Sequence, residues 1–541
     1  MTSKEFAYQT LGEMVNQEQI NGLSLRAYVD EIKSLYQENT TPWVIGYSGG
    51  KDSTVTLELI YLALVELPQE LRTKPVFVVC SDTLVETPVV VDLISETLDL
   101  VNKKAKKDNI PLTAHLVSPK IDKTFWVNLL GKGYPAPTPM FRWCTENMKI
   151  NPVSDFIKNT VSKYGEVIVI LGARKEESSS RAQVIARHRI DGSRLNKHSN
   201  LPNAFVYTPI EDWTADDVWL FLMQSPTPWN TSNRPLFELY KDSNQGECPL
   251  VIDTSTPSCG NSRFGCWTCT VVTKDKAMQS LILSGEEWMQ ELADFRDKLT
   301  LSNHEDKRHE LRNFKRRTGK VTYYSANRID EDGEKEAQVV RGPLYLKVRQ
   351  QWLKELLTIQ KGLRGTEHEM ELITPAELHQ IRQEWLNDPN EPDWTDSLPR
   401  IYSEVFNENL DWVENDSGAF TQPDAELLEE LAIKYQTSPH LVMKLLDLEI
   451  SLDGLSQRSG IFKKMGSILK QDWDDLESIL EKRSEIVDTS NYKDVIKQQV
   501  SFEGNKSEGK HRNIYEEASD RLTREHEYYG NILKEMEGNN S

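Results

Sequence analysis

A short apolar run that stops on a double-glycine turn constrains this chain more than anything else in it. Trp43-Val44-Ile45-Gly46-Tyr47 runs into Ser48-Gly49-Gly50, and a long apolar-periodic segment follows from Ser53 to Leu67, closed by Pro68. The first run has the length of a buried strand and the second that of a helix, so the order is strand, tight loop, helix. Pro75 to Cys80 begins a second such unit, with a helix from Thr87 to about Lys104. A third strand is expected near Thr113–Val117 and a fourth at Val167–Leu171. Continuous apolar strands alternating with helices predict an α/β fold, a mostly parallel twisted sheet with helices on both faces. Ligands of such sheets bind beyond the carboxyl ends of the strands, where the Ser48–Ser53 loop falls.

The remaining length divides unevenly. Its 541 residues predict several folding units. The expected division is a helical lead-in over 1–40 and the α/β core with its cysteines over 41–275. A helical basic extension over 276–386 and a linker over 387–399 come next. An acidic helical region over 400–503 precedes a tail over 504–541. Thr214 is expected to cap a helix from Ala215 to Met223. The net charge of −20 argues against attraction of nucleic acid to the whole surface. Basic residues are nevertheless concentrated at Arg174–Lys197 and at Lys307, Arg308, Arg312, Lys315, Arg316, Arg317 and Lys320. Solvated helix faces explain such blocks as well as a polyanion partner does. There is no apolar run of the roughly 18 residues a membrane helix needs. The opening MTSKEFAYQT has no basic stretch followed by an apolar one, so a cytoplasmic protein is expected.

Ser48-Gly49-Gly50-Lys51-Asp52-Ser53 has the composition of a phosphate cradle. Two glycines let the backbone approach a ligand and aim successive N–H groups at it. The helix that follows adds its positive end, Lys51 a full charge, and Ser48 and Ser53 two hydroxyl donors. A Walker A loop would need a glycine at Ile45 and a hydroxyl residue where Asp52 stands, so this is a different loop. Asp52 is read either as an aid to Mg²⁺ or as a partner of Lys51.

The SGGKDS segment resembles the PP-loop of the ATP pyrophosphatases. That resemblance implies an adenine nucleotide α-hydrolase-like fold and a loop that holds the departing pyrophosphate of ATP while an acceptor oxygen attacks the α-phosphorus. Further segments are similar to those of phosphoadenylylsulfate (PAPS) reductase relatives: Ser81-Asp82-Thr83 after the second strand, Arg142-Trp143-Cys144-Thr145 with Lys149, and Leu171-Gly172-Ala173-Arg174 with Ser178, Ser179, Ser180 and Arg181. Thr208-Pro209-Ile210-Glu211-Asp212-Trp213-Thr214 completes the set. The resemblance implies adenosine contacts at Asp82 and anion contacts at Arg174 and Arg181, whose guanidinium groups grip phosphate through two donors. An ion pair with Glu176 or Glu177 is the plainer reading of these arginines.

Six cysteines are too few for a disulfide scaffold. Cys259, Cys266 and Cys269 lie together, and Cys144 falls on a loop the sheet can bring to the same edge. Four thiolates suit structural zinc or an iron–sulfur cluster, and spacing leaves both open. Because Cys144 stands in the Arg-Trp-Cys-Thr match, the resemblance implies a [4Fe–4S] cluster on Cys144, Cys259, Cys266 and Cys269. Cys248 is read as a sulfur carrier, as a replacement for Cys259, or as a plain loop residue, and Cys80 as core. No cysteine follows Cys269, which lowers sulfate reduction by a C-terminal thiol. With Gly265–Val272 and the long helical rear, the chain looks like the DndC branch, the sulfurtransferases of bacterial DNA phosphorothioation. This implies catalytic roles for Lys51, Asp52 and Arg174, with ATP, Mg²⁺ and the cluster as cofactors. The implied partners are a cysteine desulfurase, the modification proteins DndD and DndE, and DNA bound weakly by this chain alone. A tRNA base thiolase and a non-catalytic ATP- and zinc-binding scaffold are the alternatives.

Overall fold

Trp43, Val44 and Ile45 are fully buried on both sides of the backbone, which places their strand in the middle of a sheet rather than at its edge. In the computed structural model this strand, β1 (Trp43–Tyr47), follows helix α1 (Leu25–Gln37) and precedes α2 (Lys51–Glu66). The chain continues through β2 (Val76–Ser81), α3 (Pro88–Lys107), β3 (Leu112–Val117), α4 (Asn151–Tyr164), β4 (Val167–Leu171), β5 (Asn196–Lys197) and β6 (Ala204–Tyr207). The structure describes residues 19–20, 22–177, 183, 187–188, 190, 193–198, 201–224, 226–243, 265–323, 339–388, 390–413, 422–450, 452, 460–471, 473, 476 and 478–480.

The six strands lie in the order β3-β2-β1-β4-β6-β5. β1 pairs in parallel with β2 (Trp43 opposite Val76) and with β4 (Trp43 opposite Ile168). The short β5 runs antiparallel, against β6. Chain order therefore reverses between β1 and β4. At such a switch point the loops leaving two neighbouring strands diverge and open a crevice at their carboxyl ends. Alternate residues pack opposite faces: Trp43, Ile45 and Tyr47 join the larger core, whereas Val44 packs with Val79, Val167, Val169 and Ile157. The α2 helix is buried continuously from Ser53 to Leu64. A helix apolar all round belongs inside a core, and this one carries the phosphate loop at its first turn.

Beyond the sheet come α5 (Ala215–Gln224), α6 (Arg234–Ser243), α7 (Lys276–Leu283), α8 (Gln290–Thr300), α9 (Leu346–Leu363), α10 (Pro375–Leu386) and α11 (Ser397–Phe406). Thr214 caps α5 as expected, its hydroxyl accepting from the Asp217 N–H at 3.1 Å. Helices α9 and α10 are fastened to a buried π-helical turn, Val127–Gly131, which bends the chain before the Cys144 loop. The Trp385 indole donates to the Leu130 carbonyl at 2.6 Å, and the Arg349 guanidinium donates to the Gly131 carbonyl at 2.7 Å while pairing with Asp388 at 2.8 Å.

The expected linker at 387–399 holds buried polar side chains. Asp393 accepts from the Ser397 N–H and hydroxyl, and Asn390 donates to the Arg316 carbonyl. Pro, Asn and Asp read as loop chemistry in sequence. Here they satisfy buried backbone groups, which a segment must do when it is covered. Farther on are α12 (Gln422–Lys434), α13 (Pro439–Ile450) and α14 (Ile461–Leu469). Among the described residues, no helix is long and apolar enough to cross a membrane.

Candidate functional site

The turn after β1 works because two residues lack a side chain. Gly49 adopts φ +70°, and a Cβ there would come within 2.6 Å of Ile94. Gly50 caps α2 without a side-chain bond of its own. The Ser48 N–H donates to the Ser53 hydroxyl at 3.2 Å, and that hydroxyl donates to the Gly50 carbonyl at 2.9 Å, closing the loop on itself. The first N–H groups of α2 have no intrahelical acceptors and face the crevice.

Across the switch point, the loop after β4 presses against this helix end. A Cβ on Gly172 would lie 2.5 Å from the Asp52 carbonyl oxygen, so only glycine permits the approach. The contact delivers Arg174, which is 4% exposed, to the Asp52 carboxylate, Nε to Oδ1 at 2.6 Å. Lys51 Nζ takes the other oxygen at 2.8 Å. Arg174 also donates to Glu176 and to the Trp213 carbonyl. Arg174 thus faces the phosphate loop while pairing with two acids, Asp52 and Glu176. Asp52 has both oxygens engaged by cations, one by Lys51 and the other by Arg174.

Burial lowers the Lys51 ammonium, and neighbouring Arg174 adds to this against the pull of Asp52. Burial alone would raise the Asp52 carboxyl, but Lys51 and Arg174 outweigh it and hold it below its ordinary value. The triad carries one net positive charge at the mouth of a helix.

The loop after β2 forms the next wall. Asp82 accepts from the Leu84 N–H at 2.8 Å, which supports a left-handed Leu84 (φ 63°), and burial raises the Asp82 carboxyl. The same loop is joined to the cysteine pair. Trp267 N–H donates to Val85 O at 3.0 Å, Thr87 donates its N–H and hydroxyl to Gly265 O, and the Thr83 hydroxyl lies 3.3 Å from Cys266 Sγ. Cys144 opens the π-helical turn Thr145–Ile150, whose Met148 carbonyl accepts from the Ser81 hydroxyl at 2.7 Å. Cys144 and Cys266 are thus both tied to the end of β2 and the loop after it, and Cys269 follows Cys266 in a turn closed by its N–H to the Cys266 carbonyl at 3.0 Å.

Burial and then Glu86 push the Cys266 thiol up to about 12, and burial raises Cys144. A nearby ammonium, Lys149, is held above its ordinary value chiefly by the Cys266 sulfur, and it pairs with Glu86 at 3.3 Å. Thiols suit a soft metal or a cluster, which would displace their protons on binding. Among the described residues, no three His, Cys, Asp or Glu side chains form a complete metal-holding group. Cys259, the expected fourth ligand, lies outside the described residues, as do Cys248, Ser178, Ser179, Ser180 and Arg181. Cys80 is 1% exposed and packs in the core.

The structure adds two contacts that the local sequence does not show. The Tyr240 hydroxyl, on α6, accepts from the Lys51 backbone N–H at 3.4 Å, so an oxygen already stands where α2 offers its first donors. Thr83 is the other. Each acts on a group more than 180 positions away, beyond the reach of motif spacing. Several basic side chains of the Lys307–Lys320 block are engaged locally. Lys307 meets Glu310, Arg308 meets Glu305, Arg317 meets Glu384, and Arg312 donates to the Gly342 and Arg341 carbonyls.

A parallel sheet with a glycine cradle, a lysine and an arginine at its switch point defines a nucleotide-binding α/β protein. Residues 42–272 match the family model of the phosphoadenosine phosphosulfate reductase domain, so this part of the chain is PAPS reductase-like. Two relatives come from Methanocaldococcus jannaschii. Uncharacterized protein MJ0066 is 26% identical over 273 residues, 50% of this chain and 45% of its own length. Uncharacterized protein MJ0973 is 28% identical over 223 residues, 41% and 40% respectively. The chain thus spans less than half the length of either. Among solved structures, a mutant of Candida glabrata FMN adenylyltransferase aligns at TM-score 0.26 and 15% identity, covering 44% of this chain and 68% of that one. The U34-tRNA thiolase NcsA from Methanococcus maripaludis with its [4Fe-4S] cluster aligns at 0.25 and 14%, covering 41% and 75%. Scores this low say nothing about activity.

Proposed function

We propose that this chain is an ATP-dependent sulfurtransferase that replaces a non-bridging oxygen of a DNA backbone phosphate with sulfur. A phosphodiester is anionic and its oxygen a poor leaving group, so the oxygen must first be activated. The phosphate oxygen attacks the α-phosphorus of ATP, a P–O bond forms, and pyrophosphate departs. A sulfur nucleophile at the level of hydrosulfide then attacks the DNA phosphorus, and AMP leaves with the original oxygen. Lys51, the α2 N–H groups and the Ser48 and Ser53 hydroxyls meet the charge that grows on pyrophosphate, the interaction that most lowers such a barrier. Asp52 and Arg174 hold Lys51 in place, Mg²⁺ enters with ATP, and Asp82 faces the adenosine. Arg181 is assigned a further anion contact. Cys144, Cys259, Cys266 and Cys269 would hold the [4Fe–4S] cluster, which supplies a site for sulfur. A cysteine desulfurase provides that sulfur in the cytoplasm as a persulfide, from which a dithiol reductant, itself oxidised to a disulfide, releases hydrosulfide; DndD, DndE and DNA are the other partners.

The observation that supports this reading is the direct wiring of the Asp82 loop to Cys266 through Thr83, Val85 and Thr87. A nucleotide loop and a thiol corner joined in this way suit activation and sulfur delivery to one substrate. The test is mass spectrometry of nuclease-digested DNA and tRNA from cells with and without the gene, companion genes present. Gene-dependent sulfur in DNA dinucleotide linkages is expected. Sulfur confined to tRNA nucleosides would move the acceptor to a base, and sulfur in neither would remove the transfer reaction.

A further inference from the structure

Tyr240 reaches the phosphate loop from α6, a helix to which the proposed reaction gives no part. Its hydroxyl accepts from the Lys51 backbone N–H at 3.4 Å and lies 3.3 Å from where a Cβ on Gly50 would stand. Gly50 therefore leaves room for an oxygen from a third element as well as capping α2. The half-buried phenol is held from behind. Its ring packs edge-on against Trp219 of α5, with centroids 5.1 Å apart, and Trp219 is itself buried. Phe237, one turn earlier on α6, meets the same indole at 5.4 Å. The start of α6 is fastened too. Buried Asn233 donates its amide to Glu58 of α2 at 2.9 Å and to the Leu222 carbonyl of α5 at 3.2 Å. Tyr240 is thus carried by a helix anchored to the same α2 whose first turn bears the phosphate loop, and that anchoring sets the distance from its hydroxyl to Lys51.

We infer that the Tyr240 hydroxyl is a ligand of the terminal phosphates of ATP and of the pyrophosphate that leaves. The inference deepens the proposed function and rests on its nucleotide step. A phosphate oxygen at the start of α2 takes the Lys51 N–H, because a charged acceptor outcompetes a neutral phenol for a helix's first donors. The hydroxyl then gives up that donor and stands beside the oxygen that has replaced it. A phenol donates as well as accepts, so its proton turns to the phosphate. This adds a neutral donor next to a lysine whose ammonium is already paired with Asp52. Adenosine lies at Asp82 in the proposed function, so Tyr240 reads the pyrophosphate half of ATP and not the AMP half.

The test is isothermal titration calorimetry of the full chain with ATP, with inorganic pyrophosphate and with AMP, Mg²⁺ present throughout. Tyr240→Phe keeps the ring against Trp219 and removes only the oxygen. It should weaken pyrophosphate and ATP about tenfold, near the lower end for a hydrogen bond to a charged group, and leave AMP unchanged. Circular dichroism melting checks that the variant is folded. Unchanged pyrophosphate affinity overturns the inference. Tighter pyrophosphate binding also overturns it, since the hydroxyl would then be a plug that the phosphate must push aside. Equal losses of pyrophosphate and AMP overturn it as well, because the oxygen would be acting through the fold rather than on the phosphate. Wild type that binds neither ATP nor pyrophosphate removes the nucleotide reading and the inference with it. Wild type that binds both, with Tyr240→Phe unaltered, removes the inference alone.

Discussion

The phosphate loop takes its chemistry from six consecutive residues and one arginine, whereas the thiol corner gathers Cys144, Cys266 and Cys269 across 125 positions of sequence. The first is charged and internally paired, with Asp52 between Lys51 and Arg174. The second is half-buried, with burial raising the Cys144 and Cys266 thiols and the Lys149 ammonium paired with Glu86 nearby. A cradle built on one strand–turn–helix needs only the loop after β4 to complete it. A corner built from distant segments depends on every fastening that brings them together. Perturbations should therefore act on the cradle through its own residues and on the corner through its ligands.

The largest effect is expected at the corner. Cys144→Ser and Cys266→Ser should each lose essentially all iron after anaerobic reconstitution, whereas Cys80→Ser keeps it, read by metal analysis and visible absorption. Full iron in Cys144→Ser, or zinc in place of iron in the wild type, would break the ligand assignment. At the cradle, Lys51→Ala should slow ATP–pyrophosphate exchange by about 10²–10³-fold, the cost of removing one donor from a preorganised anion site, with ATP still bound. Next, Gly172→Ala forces a methyl onto the backbone of Asp52, which cannot yield. The overpacking should cost about 1–3 kcal/mol and weaken ATP binding about tenfold by calorimetry. An unchanged affinity there would mean that the two loops move apart more readily than their contact implies.

The smallest effect probes the buried helix that supports the cradle. Glu58, 1% exposed in the middle of α2, accepts from the Asn233 amide, and burial raises its carboxyl to about 8. The folded value lies above the unfolded one. The stability this group contributes is therefore full below about pH 4.5 and is lost as pH rises through 8. Glu58→Gln should melt with the wild type at pH 4 and about 5 °C above it at pH 8.5, by differential scanning calorimetry. Parallel melting curves at both pH values would show that the carboxyl does not titrate in this range.

The sheet was legible in sequence because its strands are continuous apolar runs: β1, β2, β3 and β4 fall where Trp43–Tyr47, Pro75–Cys80, Thr113–Val117 and Val167–Leu171 predicted. The phosphate loop was legible for the same local reason. Thr83 and Tyr240 were not, since their roles exist only once β2 and α6 are packed beside their targets. The stretch at 387–399 misled because Asp and Asn next to Pro mark an exposed turn and a buried hydrogen-bonded knot with the same letters. The fourth ligand, Cys259, rests on sequence alone.

The fastening of Trp385 and Arg349 to the carbonyls of Leu130 and Gly131 also sets an order in time. A ribosome adding about 5–20 residues per second reaches residue 388 some tens of seconds or less after residue 131. Until then the turn that leads into the Cys144 loop lacks the side chains that satisfy its buried carbonyls, while the glycine cradle has already been synthesised. The nascent chain thus passes through an interval in which the glycine-loop end can close while the thiol end stays open to solvent.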